Sequence, residues 1–313
     1  LIASSTTDGD GIFNLGAAYT KTQINELNGE WRVGFQVGDE PSIATGIYQP
    51  LDPHGNYFAS ADVGYQVDKT YTYDRSGNQL NEIRGKGFSL DLGIGRQFGT
   101  WGRLKLGYHR SSGTAEIETG PPEPDRDFDS GFLAVNMTGD KLDSLYFPTT
   151  GHFANLGYLV SREDFGADTD FEQINFDYLQ AYSWGEHTLI GRLSLHTTVD
   201  DDAPFQSLYK LGGFLNLSGF NEDQLTGQHS GLISAIYMRR IADLMFFESY
   251  FGASLELGNV WQDQNDVDID DTIFAGSIFL GADTPMGPMY LSYGHNEDGD
   301  NSIYLFMGPL FSF

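Results

Sequence analysis

The sequence predicts an all-β protein: a transmembrane antiparallel β-barrel of sixteen strands. Three observations carry this. Apolar and polar residues alternate strictly in segment after segment. Those segments commonly reach about 10–12 residues, the length a tilted strand needs to cross a bilayer. The composition is rich in Gly and aromatics and poor in charge.

The alternation comes first, because a period of two is the signature of a strand with one apolar face. Phe88, Leu90, Leu92 and Ile94 fall on one face, with Ser89, Asp91, Gly93 and Gly95 on the other. Leu104, Leu106 and Tyr108 alternate with Arg103, Lys105, Gly107 and His109, and Phe251, Ala253, Leu255 and Leu257 with Gly252, Ser254, Glu256 and Gly258. A soluble sandwich also alternates, but its strands average about 5–6 residues. The segments read as 12–22, 30–39, 42–50, 57–74, 84–98, 101–113, 130–142, 151–162, 171–184, 187–199, 230–241, 248–261, 272–284, 288–294 and 302–313. Single-chain bacterial barrels close with an even number of strands, so Leu1–Ser5 is expected as the stub of a sixteenth, ahead of a turn at Thr6–Gly11.

Connections follow two styles. Gly99-Thr100 and Pro148-Thr149-Thr150-Gly151 are tight, whereas 114–129, 200–229 and 262–271 are long and acidic. Short turns on one side and long loops on the other is how outer-membrane barrels meet periplasm and exterior.

Composition narrows the class further. Of 313 residues 19% are charged and 14% aromatic, with 39 Gly. No run of 18 apolar residues exists and the mean hydropathy is −0.32, which excludes a helical membrane protein but not a barrel, whose strands average out to modest hydropathy. A formal charge of −27 argues against nucleic acid, which demands a basic face. The acidic excess, as at Asp200-Asp201-Asp202 and Asp266–Asp271, reads as solvated loop charge. There is no Cys, so disulfides and thiolate chemistry are absent. No signal peptide opens the chain, and the expectation is a fragment made of one barrel domain, 1–313, without the upstream domains of its parent.

Enzyme chemistry finds no support. Neither Gly-x-Ser-x-Gly nor His-Glu-x-x-His occurs, and the seven His are scattered. His109 and His196, beside Arg103 and Arg192 on lumen faces, read as parts of wall hydrogen-bond networks. Asp263–Asp268 lacks the Gly and distal Glu of a calcium loop. No metal or cofactor is expected.

Three motifs and the terminal strand carry a resemblance. The stretch Leu211-Gly212-Gly213-Phe214-Leu215-Asn216-Leu217-Ser218-Gly219-Phe220 resembles the loop motif of the superfamily that contains BamA, TamA and the two-partner secretion transporters, in which a Gly-Gly stretch leads into Arg-Gly-Tyr/Phe and the loop folds back into the lumen. Asp143 with Tyr146-Phe147-Pro148-Thr149-Thr150-Gly151 resembles the family's aromatic-Pro-Thr-x-Gly periplasmic turn. Ser254 to Trp261 resembles its Phe-x-Asp-x-Gly-x-x-Trp-like strand, with Glu256 and Gly258 at the matching positions. The end, Gly308-Pro309-Leu310-Phe311-Ser312-Phe313, resembles the C-terminal signal read by the barrel-assembly machinery, with Phe311 and Phe313 expected to face lipid alongside Ile303, Leu305 and Met307. Gly308-Pro309, where Gly packs poorly and Pro cannot donate to the ladder, suggests either a weak seam between the last and first strands or a simple strand-end kink at Pro309.

The chain departs from the family at two places: the loop-tip Arg is Ser218, and the strand's Asp is Glu256. A buried Arg–carboxylate pair locks geometry by charge-assisted bonds, so Ser218 and Glu256 are expected to approach one another inside the lumen, the longer Glu compensating for the missing guanidinium. The overall pattern is most similar to type Vd autotransporters such as the patatin-like PlpD. That resemblance implies a translocator or anchor that secretes or displays an N-terminal passenger, a patatin-like lipase in that subtype. It further implies contact with outer-membrane lipid and lipopolysaccharide, the assembly machinery as a partner during biogenesis, and location in a Gram-negative outer membrane; a homodimer is among the states it allows. A porin or nutrient channel and an outer-membrane assembly factor remain as alternatives.

Overall fold

The computed structural model describes residues 2–4, 14–74, 77–121, 124–244, 247–285, 287–308 and 311. Sixteen strands form one sheet in which every strand pairs antiparallel with its neighbour in that sheet: β1 (Ile2–Ser4), β2 (Asn14–Lys21), β3 (Glu30–Gly38), β4 (Ser42–Pro50), β5 (Tyr57–Tyr73), β6 (Gln79–Gln97), β7 (Arg103–Thr119), β8 (Arg126–Asp140), β9 (Gly151–Ser161), β10 (Phe171–Trp184), β11 (His187–Asp200), β14 (His229–Leu244), β15 (Phe247–Trp261), β16 (Ile273–Thr284), β17 (Gly287–Asn296) and β18 (Asn301–Met307). A separate two-stranded hairpin, β12 (Tyr209–Leu211) and β13 (Leu225–Gly227), lies within the connection from β11 to β14. The ends of the sheet come together, since β1 and β18 approach within 8 Å Cα to Cα. Among the described residues no ladder of paired positions joins them.

Register sorts the side chains as the alternation demands. Phe35, Ile43, Phe88, Ile94, Leu255, Ile278 and Ile303 form part of an exposed apolar outer belt, which in water would be costly and in lipid is the stable arrangement. Trp31, Trp101, Tyr182 and Trp184 stand exposed at the end that carries the connections 22–29, 98–102 and 185–186, as an aromatic girdle does at a membrane boundary. The connection 141–150 lies at that same end, and the loop 201–228 at the opposite one, by the antiparallel order.

Several expectations need correction. The stretch 114–129 is not mainly loop: β7 runs to Thr119 and β8 starts at Arg126, and β6 begins at Gln79 rather than 84. The reason is charge pairing across strands. Lys69 meets Glu82 at 2.7 Å, Arg84 meets Glu118 at 2.8 Å and Lys86 meets Glu116 at 2.7 Å, so residues that look like solvated loop instead ladder an extension of the wall into water. At the other terminus, the last strand stops at Met307, not Phe313. Gly308 takes φ 146° and donates its N–H to the Pro288 carbonyl, which breaks the alternation. Phe311 is consequently not lipid-facing; it is buried in the lumen cluster with Phe147, Phe153 and Tyr290. Phe313 and Pro309, like Thr6–Gly11, lie outside the described residues.

Candidate functional site

The site is built where the loop 201–228 meets the inner wall. Its hairpin pairs Tyr209 with Gly227 and Leu211 with Leu225, and the 13 residues between, 212–224, form a tip packed with unusual backbone. Gly212, Gly213 and Gly219 have φ of 125°, 98° and 108°, and two leucines, Leu215 and Leu217, sit at 60° and 72°. A γ-branched residue in this region is strained by about 1–3 kcal/mol, so something must hold it. Leu215 and Leu217 are 1% and 0% exposed, and full burial of a Leu contributes about 1.5–3 kcal/mol.

The second restraint is polar. Glu256, projecting inward from β15 and 1% exposed, accepts four hydrogen bonds. Its Oε2 takes the backbone N–H groups of Leu217 and Ser218 at 2.8 and 2.7 Å. Its Oε1 takes the Ser218 hydroxyl at 2.8 Å and the Ser254 hydroxyl. Successive N–H groups converging on a carboxylate make a small anion nest, which satisfies a group that would otherwise be ruinous to bury. Ser218 thus contributes two donors, and the longer Glu side chain reaches the loop backbone itself. The Ser218 Oγ also accepts the N–H of Leu215 at 3.1 Å.

The last strand clamps the other side of the tip. The Tyr304 hydroxyl accepts the Gly219 N–H at 2.8 Å and donates to the Phe220 carbonyl at 2.6 Å, while Ser302 donates to the Gly219 carbonyl at 3.1 Å. A Cβ on Gly219 would lie 2.8 Å from the Asn296 nitrogen and 2.9 Å from the His295 carbonyl carbon, so only Gly fits. Gly294 on β17 likewise makes room, with the Ser218 Cβ 2.8 Å from where its own Cβ would be. A Cβ on Gly258 would lie 2.6 Å from the Gly231 carbonyl oxygen, so Gly there lets β15 lie close to β14. From β11, Arg192 donates to the Leu215 carbonyl at 3.3 Å, so a guanidinium does reach the loop tip, from the wall instead of from position 218.

Beneath the tip an apolar floor continues to the opposite end. Phe214 makes edge contact with Phe279 and leans on Tyr290. Phe147, from the turn 141–150, stacks on Tyr250 at 4.4 Å and 16° and abuts Tyr290 at 5.2 Å. The turn is held by Asp143, which accepts the N–H groups of Thr149 at 2.8 Å and Thr150 at 3.0 Å, and the Thr149 hydroxyl. Burial alone would raise its carboxyl, but these bonds outweigh it and hold Asp143 below the usual carboxylate value of 3.8. Gly151 sits at φ 103°, and a Cβ there would lie 2.0 Å from the Lys141 carbonyl oxygen. Pro148 follows the buried Phe147 and lets the chain leave the floor.

The structure therefore brings Gly212, Gly213, Leu217, Ser218, Gly219, Phe220, Glu256 and Gly258 into one assembly, with Pro148, Thr149 and Gly151 in a turn that shares its apolar floor. Gly308 and Phe311 belong to the tail that reaches the same floor. Sequence reasoning missed Ser254, Ser302 and Tyr304, whose inward positions the alternation does give but whose partners depend on how the loop enters. His109 and His196 pair with Asp91 at 2.8 Å and Asp177 at 3.1 Å as members of wall networks.

Comparison with known proteins agrees with this geometry. Among solved structures, BamA from Haemophilus ducreyi lacking POTRA domains 1–3 superposes with TM-score 0.75 at 15% identity, covering 97% of this chain and 68% of that one. CdiB from Escherichia coli gives 0.69 at 14%, covering 97% and 61%, and CdiB from Acinetobacter baumannii gives 0.65 at 12%, covering 97% and 58%. The chain thus spans about three fifths of either CdiB. No curated protein sequence matches it significantly. The Omp85 superfamily domain matches residues 27–311, nearly the whole chain, and the chain accordingly belongs to the Omp85 superfamily of outer-membrane β-barrels.

Proposed function

We propose that this barrel is the translocator or anchor unit of a type V secretion system in a Gram-negative outer membrane, carrying an N-terminal passenger to or through that membrane. The observation that supports this reading is the seated plug: a strained loop tip fastened by Glu256 and Tyr304 on one wall, with the other wall of the lumen left polar. A porin or nutrient channel needs a lumen open from end to end, whereas here the loop also meets the β5–β6 turn, Asn221 donating to the Gly77 carbonyl at 3.2 Å. A plug fastened by a handful of bonds can leave its seat without unfolding the wall, which suits intermittent passage of a polypeptide. The departure at Ser218 favours the type Vd subtype, with a patatin-like lipase as passenger. The barrel carries no reaction of its own in this reading. Its biogenesis partner is the barrel-assembly machinery, and its surroundings are outer-membrane lipid and lipopolysaccharide.

A second reading, an assembly factor for other barrels, rests on the likeness to the BamA barrel. Protease shaving of intact cells expressing the full-length gene separates the readings. Degradation of an upstream domain from outside supports the translocator. Upstream domains that stay protected in the periplasm overturn it in favour of the assembly factor, and a large steady conductance of the purified barrel overturns both in favour of a channel.

A further inference from the structure

The connection β15–β16, residues 262–272, holds two apolar side chains among five carboxylates. Val267 and Ile269, the latter 84% exposed, stand between Asp263, Asp266, Asp268, Asp270 and Asp271. An exposed Ile in an otherwise acidic surface loop asks what covers it.

The loop is shaped, not slack. Two 3-10 turns, Gln264–Asp266 and Ile269–Asp271, are each capped by the Asp before them, which accept the N–H groups of Asn265 at 2.9 Å and Asp270 at 3.0 Å. Asn259 donates to the Asp271 carbonyl at 2.7 Å, and Gln262 to the Thr226 carbonyl at 2.7 Å. So fixed, the loop overhangs the outside of the barrel and roofs a groove of about 730 Å³. The floor is the outward row of β10, β11, β14 and β15, chiefly Phe176, Leu195, Ile233 and Leu257. At its centre Gly231 takes an outward position without a side chain, and the ring of Trp261 lies against it, 3.5 Å from where a Cβ would be. The Trp261 indole N–H is buried and has no hydrogen-bond partner, unusual for a group that ordinarily finds one.

We infer that this groove binds one acyl chain of a membrane lipid from the leaflet at the long-loop end, with Val267 and Ile269 closing over it and the ring of Trp261 forming part of its wall. The floor is continuous with the lipid-facing belt, so acyl chains already cover its lower part. The roof converts that ordinary contact into a held one. The carboxylates keep the loop itself at the water boundary, so only its two apolar side chains reach the hydrocarbon.

Trp261 reports on its own groove, because Trp31, Trp101 and Trp184 all lie at the opposite end of the barrel. In the W31F/W101F/W184F protein, reconstituted in phosphatidylcholine vesicles, lipid brominated along its acyl chain quenches Trp261 fluorescence. The expected result is that V267S/I269S in that background lowers the quenching at least twofold. A second variant, Gly231→Leu, fills the floor without touching the loop and does the same. Circular dichroism and heat-modifiable migration check that each variant is a folded barrel. Native mass spectrometry of the parent from mild detergent should retain one acylated lipid, phospholipid or lipopolysaccharide, lost in both variants. Equal quenching in folded parent and variants overturns the proposal, leaving ordinary annular lipid. Absence of quenching in the parent also overturns it, since the groove then takes no acyl chain.

Discussion

The two halves of the barrel wall differ in what faces the lumen. Along β9–β18 the inward positions are mostly buried: Leu179, Ile190, Leu232, Ile236, Met238, Phe279 and Tyr290 form an apolar lining with the loop tip and Phe147 pressed against it. Along β3–β8 the inward positions are polar and partly open, as at Arg32, Ser60, Asp62, Gln97, Arg103 and Lys105 around a small cavity. Both halves share the same outer belt and the same ladder. The difference comes from the loop tip, the Phe147 turn and the Phe311 tail, which pack against one half while the loop meets the other near Gly77, and it teaches that this lumen is half core and half channel. One half obeys the rules of a packed interior, where each buried polar group needs a partner. The other obeys those of a wetted surface, where charges are solvated and replaceable.

The largest way to break that contrast is to unseat the plug. Glu256→Ala leaves two buried N–H groups and two hydroxyls without their acceptor, and breaking such a buried polar centre costs about 3–5 kcal/mol. The expected outcome is a folded barrel with a raised and unsteady conductance in planar bilayers, and faster tryptic cleavage at Lys210. Phe147→Ala removes the aromatic floor shared with Tyr250 and Tyr290; a loss of about 3 kcal/mol should show as a lower unfolding midpoint in urea. Gly219→Ala drives a methyl into the backbone of β17 and costs about 1–3 kcal/mol. Hydrogen exchange should then quicken over 212–224 and remain unchanged over β3–β8.

The same type of change in the wet half sharpens the comparison by doing little. Arg103→Ala should leave the unfolding midpoint within about 0.5 kcal/mol of the parent, yet shift ion selectivity toward cations. The smallest expected effect is a pH dependence at Asp143. Its carboxyl is held below its unfolded value, so its contribution is present at neutral pH and is lost as pH falls through the folded value, below the usual 3.8. Acidification should therefore lower the protection factors of the amides over 141–150, and Asp143→Asn should be less stable at neutral pH and show no such dependence.

Much of the wall is legible in the sequence. A period of two and a tight turn specify a strand from its own residues, so 42–50 and 171–184 match as read. Local composition misleads at Glu82, Glu116 and Glu118, which look like loop and become a ladder only when Lys69, Arg84 and Lys86 arrive from the neighbouring strand. Phe311 misled in the opposite way, since its spacing from Met307 fits the alternation and only the turn at Gly308 takes it inward.

By itself the sequence determined most of the strands and the sidedness of each one, because these depend on neighbours one or two residues away; the meeting of Ser218 with Glu256 was implied by the resemblance of their motifs. The tertiary structure decided which wall the loop seats on, that Glu256 is met by two backbone N–H groups as well as Ser218, that Arg192 reaches the tip from β11, and where the tail goes. Those outcomes depend on groups brought together across some 20 to 90 positions of chain, as for Arg192 with Leu215 and Tyr304 with Gly219, and no periodicity within a strand encodes which of many inward-facing side chains a loop will meet.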